Sequence, residues 1–522
     1  MPSRPALAEN ERTFERLVRV VERRVAAGRL ESAAGWARVA AAFTTTNPHG
    51  ALREPRLDAA LDAVSRRTLG PATHRPEAGP RRVLHVLSEG HLIGGHVRMA
   101  LRWVAADEAS RSSVIVTRPG CESAELSALV RERGGQATVL EARSLLARAR
   151  GLRAAAETAD VVVCHTHGED PVPALAFGGD YAGAPVVMVN HADHVFWLGV
   201  GNVSLIMNLR DAAAEAAATA RGYPRANLTV VPTALPSVAR GIERDAAKKQ
   251  LGIDPGQVVF VTLARAVKFA PAPWHPGFVD VVGPALRANP AATLVAVGAD
   301  PRDAAWAALA RELGGRVVLP GEQPDPTLYL DAADVYLDSF PFGSTTSLIE
   351  AATRDVPVLA SRAYPGMSRL MSSTCPLDDV IVGAPDTAAY HERFAELTGD
   401  AERRARVGAA TGAAVRSRHT AEAWRANLET LYERAAALEP VRTRSAPTAD
   451  ADDLDRYSEL LLGIESRTPL LWTINFCRDA FDRADRASAL ARTVGVRAAQ
   501  KARRTGAGHG ATAATWLVPF AR

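Results

Sequence analysis

The sequence predicts an α/β protein built from two doubly wound parallel-sheet domains facing a cleft, with helical segments at both ends. Three observations carry that reading. Short β-branched runs alternate with Ala-rich helical stretches over 83–231, the alternation restarts over 258–382 after a Pro-containing break, and neither end of the chain shares the pattern. With 522 residues, 47% of them hydrophobic and 23% charged, the chain has material for two cores and appendages.

Residues 1–78 read as a helical accessory module. Phe14, Leu17, Val18 and Val21 make one apolar stripe, Trp36, Val39, Ala40 and Phe43 a second, and Leu57, Ala60, Leu61 and Val64 a third. No repeat of fixed period accompanies them, so a small bundle is expected rather than a solenoid. Gly70, Pro71, Pro76, Gly79 and Pro80 punctuate the exit from it. The first α/β domain, 79–236, carries VLHVL, VIVT, ATVL, VVVC, VVMVN, LIMN and LTVV, and closes on a hinge, VPTALPS. The second, 237–440, carries VVFVTL, TLVAVG, RVVL, VYLD, VPVLA and VIV. A Pro-, Ser-, Thr- and Asp-rich linker opens the extension 441–522, whose first helix presents Leu454, Tyr457, Leu460 and Leu461 after the start signal DADDLD.

Composition narrows the function classes. Cys121, Cys164, Cys375 and Cys477 lack metal or redox spacing, which fits a reducing cytoplasm better than a secreted disulfide framework. No apolar run approaches the roughly 20 residues of a membrane span, so a cytoplasmic and at most peripheral protein is expected. Lysine occurs only at 248, 249, 268 and 501, the positive charge being otherwise arginine, and no nucleic-acid partner is inferred from it. The chain's net +4 is a property of its tail, because 477–522 holds nine basic and three acidic side chains. That basic, helical extension is compatible with contact to an anionic membrane, although its apolar face is poor in large residues.

The densest chemistry lies in DVYLDSFPFGSTTSLIEAATRDVPVLAS, 334–361. Val335, Tyr336 and Leu337 read as a buried strand, Pro341 and Gly343 break the chain, and Ser344, Thr345 and Thr346 stand at the start of a helix carrying Leu348, Ile349 and Ala352. Unpaired backbone N–H groups at such an end, together with hydroxyls and the helix dipole, favour a phosphate. Glu350, one turn in, is suited to accept hydrogen bonds from a vicinal diol such as ribose. Arg265 and Lys268 follow the first strand of the second domain, where ligands of doubly wound sheets bind, and two cations there would neutralise a departing diphosphate without a metal.

The series Asp338, Phe340, Pro341, Phe342, Gly343, Thr345, Thr346 and Glu350 resembles the nucleotide-sugar site of GT-B glycosyltransferases, closest to the O-GlcNAc transferase-like branch and its bacterial relatives. The resemblance implies two Rossmann-like domains and places the diphosphate on the Thr pair and the ribose on Glu350. It also implies an Arg and a Lys as leaving-group cations at Arg265 and Lys268, and base recognition around Gly321 and Glu322. The co-substrate it implies is a nucleotide-diphosphate sugar, UDP-linked by preference, with no separate cofactor or metal. Retaining relatives carry a second Glu eight positions before the ribose acid; Phe342 stands there, so inversion is expected.

In the first domain Gly94 and Gly95 permit close backbone approach to sugar or phosphate at a helix start. No GxGxxG or GxxxxGK[ST] accompanies them, which removes support for dinucleotide oxidoreductases and nucleoside triphosphatases. Histidines gather at strand ends: His91 and His96, His165 and His167, His191 and His194. Inverting transfer needs a base for the acceptor hydroxyl, and His191, His96, His91 and Asp193 are the candidates, His191 foremost because related enzymes place a His at that strand end. A metal held by His165 and His167 with His191 or His194 is the competing idea, without supporting Cys or carboxylate spacing. The acceptor is open among protein, glycan, lipid carrier and natural product. A nucleotide-sugar 2-epimerase, or a non-catalytic nucleotide-sugar-binding scaffold with a protein partner on the N-terminal helices, are the other readings.

Overall fold

The computed structural model describes residues 3–481 except 73, 76–77, 91–94, 234–239, 273–274, 374–376 and 465–466. Two parallel sheets organise them. The first has seven strands, β1 (Arg82–Leu87), β2 (Arg111–Val116), β3 (Ala137–Val139), β4 (Val161–His165), β5 (Val186–Asn190), β6 (Leu205–Asn208) and β7 (Leu228–Val230), in the order β3-β2-β1-β4-β5-β6-β7. The second has six, β8 (Val258–Leu263), β9 (Ala292–Val297), β10 (Val317–Gly321), β11 (Val335–Leu337), β12 (Val358–Ser361) and β13 (Val382–Ala384), in the order β10-β9-β8-β11-β12-β13. Both orders reverse beside the first strand, which opens a crevice at the carboxyl ends of β1 and β4 and of β8 and β11. β4 and β5 are buried along their whole length because helices cover both faces, as their unbroken apolar runs require.

The expected runs form strands with one displacement. VIV was expected at 380–382, but β13 begins at Val382, because the amides of Val380 and Ile381 both donate to the Leu377 carbonyl and close a turn. The N-terminal stripes form the helices Ser3–Ala26, Leu30–Thr46 and Pro55–Thr68, with the stripe residues buried. This module is fused to the first domain. Phe14 packs edge-on against Phe196, Ser65 Oγ donates to the Leu175 carbonyl at 2.8 Å, and one continuous apolar cluster runs from Phe14 to Val186.

Helix Ala421–Ala437 lies in sequence with the second domain but packs on the first. Trp424, Leu428, Leu431 and Tyr432, one stripe at helical spacing, bury against Val83, Trp103, Val161 and Val163. Trp103 Nε1 donates to Tyr432 Oη at 2.6 Å, which donates to Asp107 at 2.6 Å. The helix Ala451–Ile464 then returns to the second domain, burying Leu454, Tyr457, Leu460 and Leu461 beside Tyr364 and Met367. Asp450 accepts from the Asp453 amide at its start, and Asp453 accepts from Met367 N at 2.7 Å. Beyond the second sheet the chain therefore passes to the first domain at Ala421–Ala437 and back to the second at Ala451–Ile464. The basic tail beyond 481 lies outside the described residues.

Candidate active site

A cavity of about 290 Å³ opens between the two sheets, lined from the first domain by Asn190, His191, Asp193, His194 and Arg210 and from the second by Lys268 and Phe342–Ser347. Its floor is the β11 loop and the helix Thr345–Ala352. Ser344 is the residue before that helix but makes no capping bond, since its hydroxyl accepts from Lys268 Nζ at 3.1 Å and lies 3.1 Å from Ser339 Oγ. The first amides of the helix thus have no capping side chain, and Thr345 and Thr346 at that end line the cavity. Asp338, fully buried, holds the loop by accepting from Ser344 N at 3.2 Å and Ser373 Oγ at 2.9 Å. Burial raises its pKa, against the opposing pull of Arg362 and these donors. Gly343 is required by space, because a Cβ there would run into the backbone at Ser372 and Ser373.

Lys268 sits over the Phe342 ring at 4.6 Å and donates to the Gly343 carbonyl at 2.8 Å. Burial pulls its pKa down to about 8, with Arg265 and Arg210 adding to the effect and Asp338 opposing it. Arg265 is solvent-exposed and does not line the cavity. Glu350 is half-buried and is not among the residues that line the cavity; burial raises its pKa, while Arg354 and, from the first domain, Arg102 and Arg98 oppose that rise. Gly321 ends β10 with φ 70° and receives Gly298 N on its carbonyl at 2.8 Å. It and Glu322 stand three strands from β11, roughly 14 Å at ordinary spacing.

The histidines meet in a stack across the carboxyl ends of β1, β4 and β5. His165 Nε2 lies 3.2 Å from His85 Nδ1, and His165 Nδ1 lies 3.2 Å from His191 Nε2. His96 stacks on His191 at 4.2 Å and its Nδ1 donates to the His165 carbonyl at 3.0 Å. Burial lowers every one of these pKa values, to about 3 for His85, to about 4 for His96 and far down for His165 and His191, so the cluster is neutral. His191 reaches the cavity. Both Asp193 oxygens are gripped by Arg210, at 2.6 and 2.8 Å, and although burial disfavours the charge, Arg210 and His194 hold the carboxyl well below its usual range. Gly95 opens the helix Gly95–Ala106 with open space about its Cα, whereas His91 and Gly94 lie outside the described residues. Among the described residues no cluster of His, Cys, Asp or Glu is arranged to hold a metal, and no helix is long and apolar enough to cross a membrane.

Arg210, Asn190 and His85 were not singled out from the sequence. His85 hides inside VLHVL, which reads as an ordinary core strand, and Arg210 acquires its carbonyl partners at 370 and 372 only when the domains meet.

Residues 259–400, which hold the whole cavity floor, match the family model described as Glycosyl transferases group 1. No curated protein sequence matches the chain. Among solved structures, a mutant O-GlcNAc transferase of Thermobaculum terrenum superposes with TM-score 0.51 at 16% identity, over 81% of this chain and 84% of that one. The Anabaena protein HepE in complex with UDP and glucose (TM-score 0.46, 16% identity, 67% and 98% covered) and a glycosyltransferase from Rickettsia africae (0.49, 11%, 69% and 99%) are also similar. The architecture is accordingly the GT-B fold.

Proposed function

We propose that this protein is a metal-independent, inverting glycosyltransferase that takes its sugar from a nucleotide-diphosphate donor, UDP-linked by preference. The observation that carries the reading is the cavity floor: Lys268 and the open amides, Thr345 and Thr346 of one helix end converge at the domain cleft, in the segment that matches Glycosyl transferases group 1. A diphosphate on this floor meets a lysine ammonium and oriented N–H donors, which stabilise negative charge as the sugar–phosphate bond breaks. Glu350 is proposed to take the ribose diol, Arg265 to add positive charge at the rim, and Gly321 and Glu322 to meet the base.

On the acceptor side, His191 is the proposed general base. Of the four candidates, Asp193 is occupied by Arg210, His96 spends Nδ1 on a backbone carbonyl and His91 lies outside the described residues, while His191 reaches the cavity with Nε2 held by His165. Desolvation keeps it neutral at physiological pH, the form that accepts a proton. Inversion is supported by Phe342, whose position would hold the second carboxylate of retaining relatives.

Product analysis tests the reading. Incubation with a panel of nucleotide sugars should release free nucleoside diphosphate, slowly to water and faster with an acceptor. A changed sugar on an intact diphosphate would mark an epimerase, and binding with neither product a scaffold.

A further inference from the structure

The segment 370–373 of the second domain presents alternate carbonyls to opposite sides. Leu370 and Ser372 accept from the Arg210 guanidinium, the former at 2.6 Å, while Met371 between them accepts from Gly343 N at 2.6 Å. One residue further, Ser373 Oγ donates to Asp338, the carboxylate that also holds Ser344 N. Arg210 itself is fixed by the two-pronged Asp193 contact within the first domain. A continuous set of hydrogen bonds thus runs from the ends of β5 and β6, through Arg210 and four backbone residues, into the loop that floors the cavity. A planar guanidinium suits this task, because one edge meets a carboxylate while its outer nitrogens reach two carbonyls; a lysine ammonium has no such fork.

We infer that Arg210 is a positioning residue that couples the seating of the first domain to the shape of the Gly343–Thr346 loop, so that the loop is set for its ligand only while Arg210 holds 370 and 372. The coupling itself is independent of chemistry; its consequence for donor binding rests on the function proposed above. Coupling of this kind is reciprocal: a ligand that orders the loop also tightens the grip of Arg210.

Hydrogen exchange reads the coupling without turnover. In Arg210→Lys, which keeps the charge, and in Asp193→Asn, which frees the fork, amides of 340–348 should exchange about tenfold faster than in the parent, although Asp193 lies in the other domain. The double variant should show no further acceleration, since both changes act through one fork. With UDP as probe, each single variant should bind about tenfold more weakly and the double variant no more weakly than either. In the parent, UDP should slow exchange over 366–372. Parent-like exchange at 340–348 in both folded variants, with changes confined to 190–212, would overturn the coupling. Tighter UDP binding in Asp193→Asn beside weaker binding in Arg210→Lys would also overturn it, making Arg210 a direct phosphate ligand. Failure of UDP to bind the parent at all would instead strike the proposed function, leaving the exchange comparison readable.

Discussion

Glu350→Gln tests the ribose contact proposed for that carboxylate. The hydrogen bonds that seat residue 350 run to its backbone carbonyl, from Thr353 Oγ1 at 2.7 Å and Arg354 Nη1 at 2.8 Å, so the exchange of side chains leaves them in place. What changes is the proposed acceptor for two ribose hydroxyls. A carboxylate that accepts both gains charge assistance at each, whereas the amide keeps one neutral acceptor and turns a donor toward the second hydroxyl. The expected loss is about 2 kcal/mol, roughly thirtyfold in donor affinity. Calorimetric titration with UDP and 2′-deoxy-UDP, against parent and variant, forms a closed cycle. The deoxy ligand keeps only the 3′-hydroxyl, so it should bind the parent more weakly and lose about 1 kcal/mol rather than about 2 in the variant, one of the two contacts being already gone. Because burial raises the Glu350 pKa and only the carboxylate accepts twice, parent affinity should fall as pH drops through that raised value, and the variant should lack this limb. Equal losses for ribose and deoxyribose ligands would refute the reasoning and place Glu350 elsewhere.

Three further outcomes follow from the same geometry. Lys268→Ala should slow transfer by about two orders of magnitude, and in the parent kcat/KM should fall as pH rises through about 8, because only the ammonium offsets phosphate charge; a flat profile with normal turnover would make Lys268 structural. His191→Ala should lower kcat roughly a hundredfold while UDP affinity stays near normal, and a near-normal kcat would remove it as the base. Trp424→Ala, which empties a fully buried site between the Ala421–Ala437 helix and the first sheet, should cost about 3–5 kcal/mol in chemical denaturation, and a loss below 1 kcal/mol would mean that helix does not help hold the first domain.

Much of the fold was legible because periodicity is local. The strand runs and the three N-terminal stripes each declare their element within ten or so residues, and the β11 loop declares its turn by Pro341 and Gly343. The slip at β13 has the same origin: VIV has strand composition, but Leu377 captures its first two amides, which composition does not show. The destination of Ala421–Ala437 was not legible, since its stripe of Trp424, Leu428 and Tyr432 shows that a face is buried and not which domain buries it. In the cavity, Lys268 and Ser344–Thr346 were found by their place after strands, whereas Arg210 pairs with Asp193 at a separation of 17 residues and with Leu370 at 160. Contacts of that range leave no periodic trace. His85 was hidden for the opposite reason, its strand being entirely ordinary apart from one imidazole whose partner lies on β4.

The central claim is that the cleft floor holds a nucleoside diphosphate without a metal, and a calorimetric titration of UDP in excess EDTA tests it most directly. The account predicts one site per chain, with binding weakened at least tenfold by Lys268→Ala and by the paired change Thr345→Val with Thr346→Val, each removing donors from the phosphate position. Absence of binding in EDTA that Mg²⁺ or Mn²⁺ restores, or binding that all three substitutions leave untouched, would contradict it.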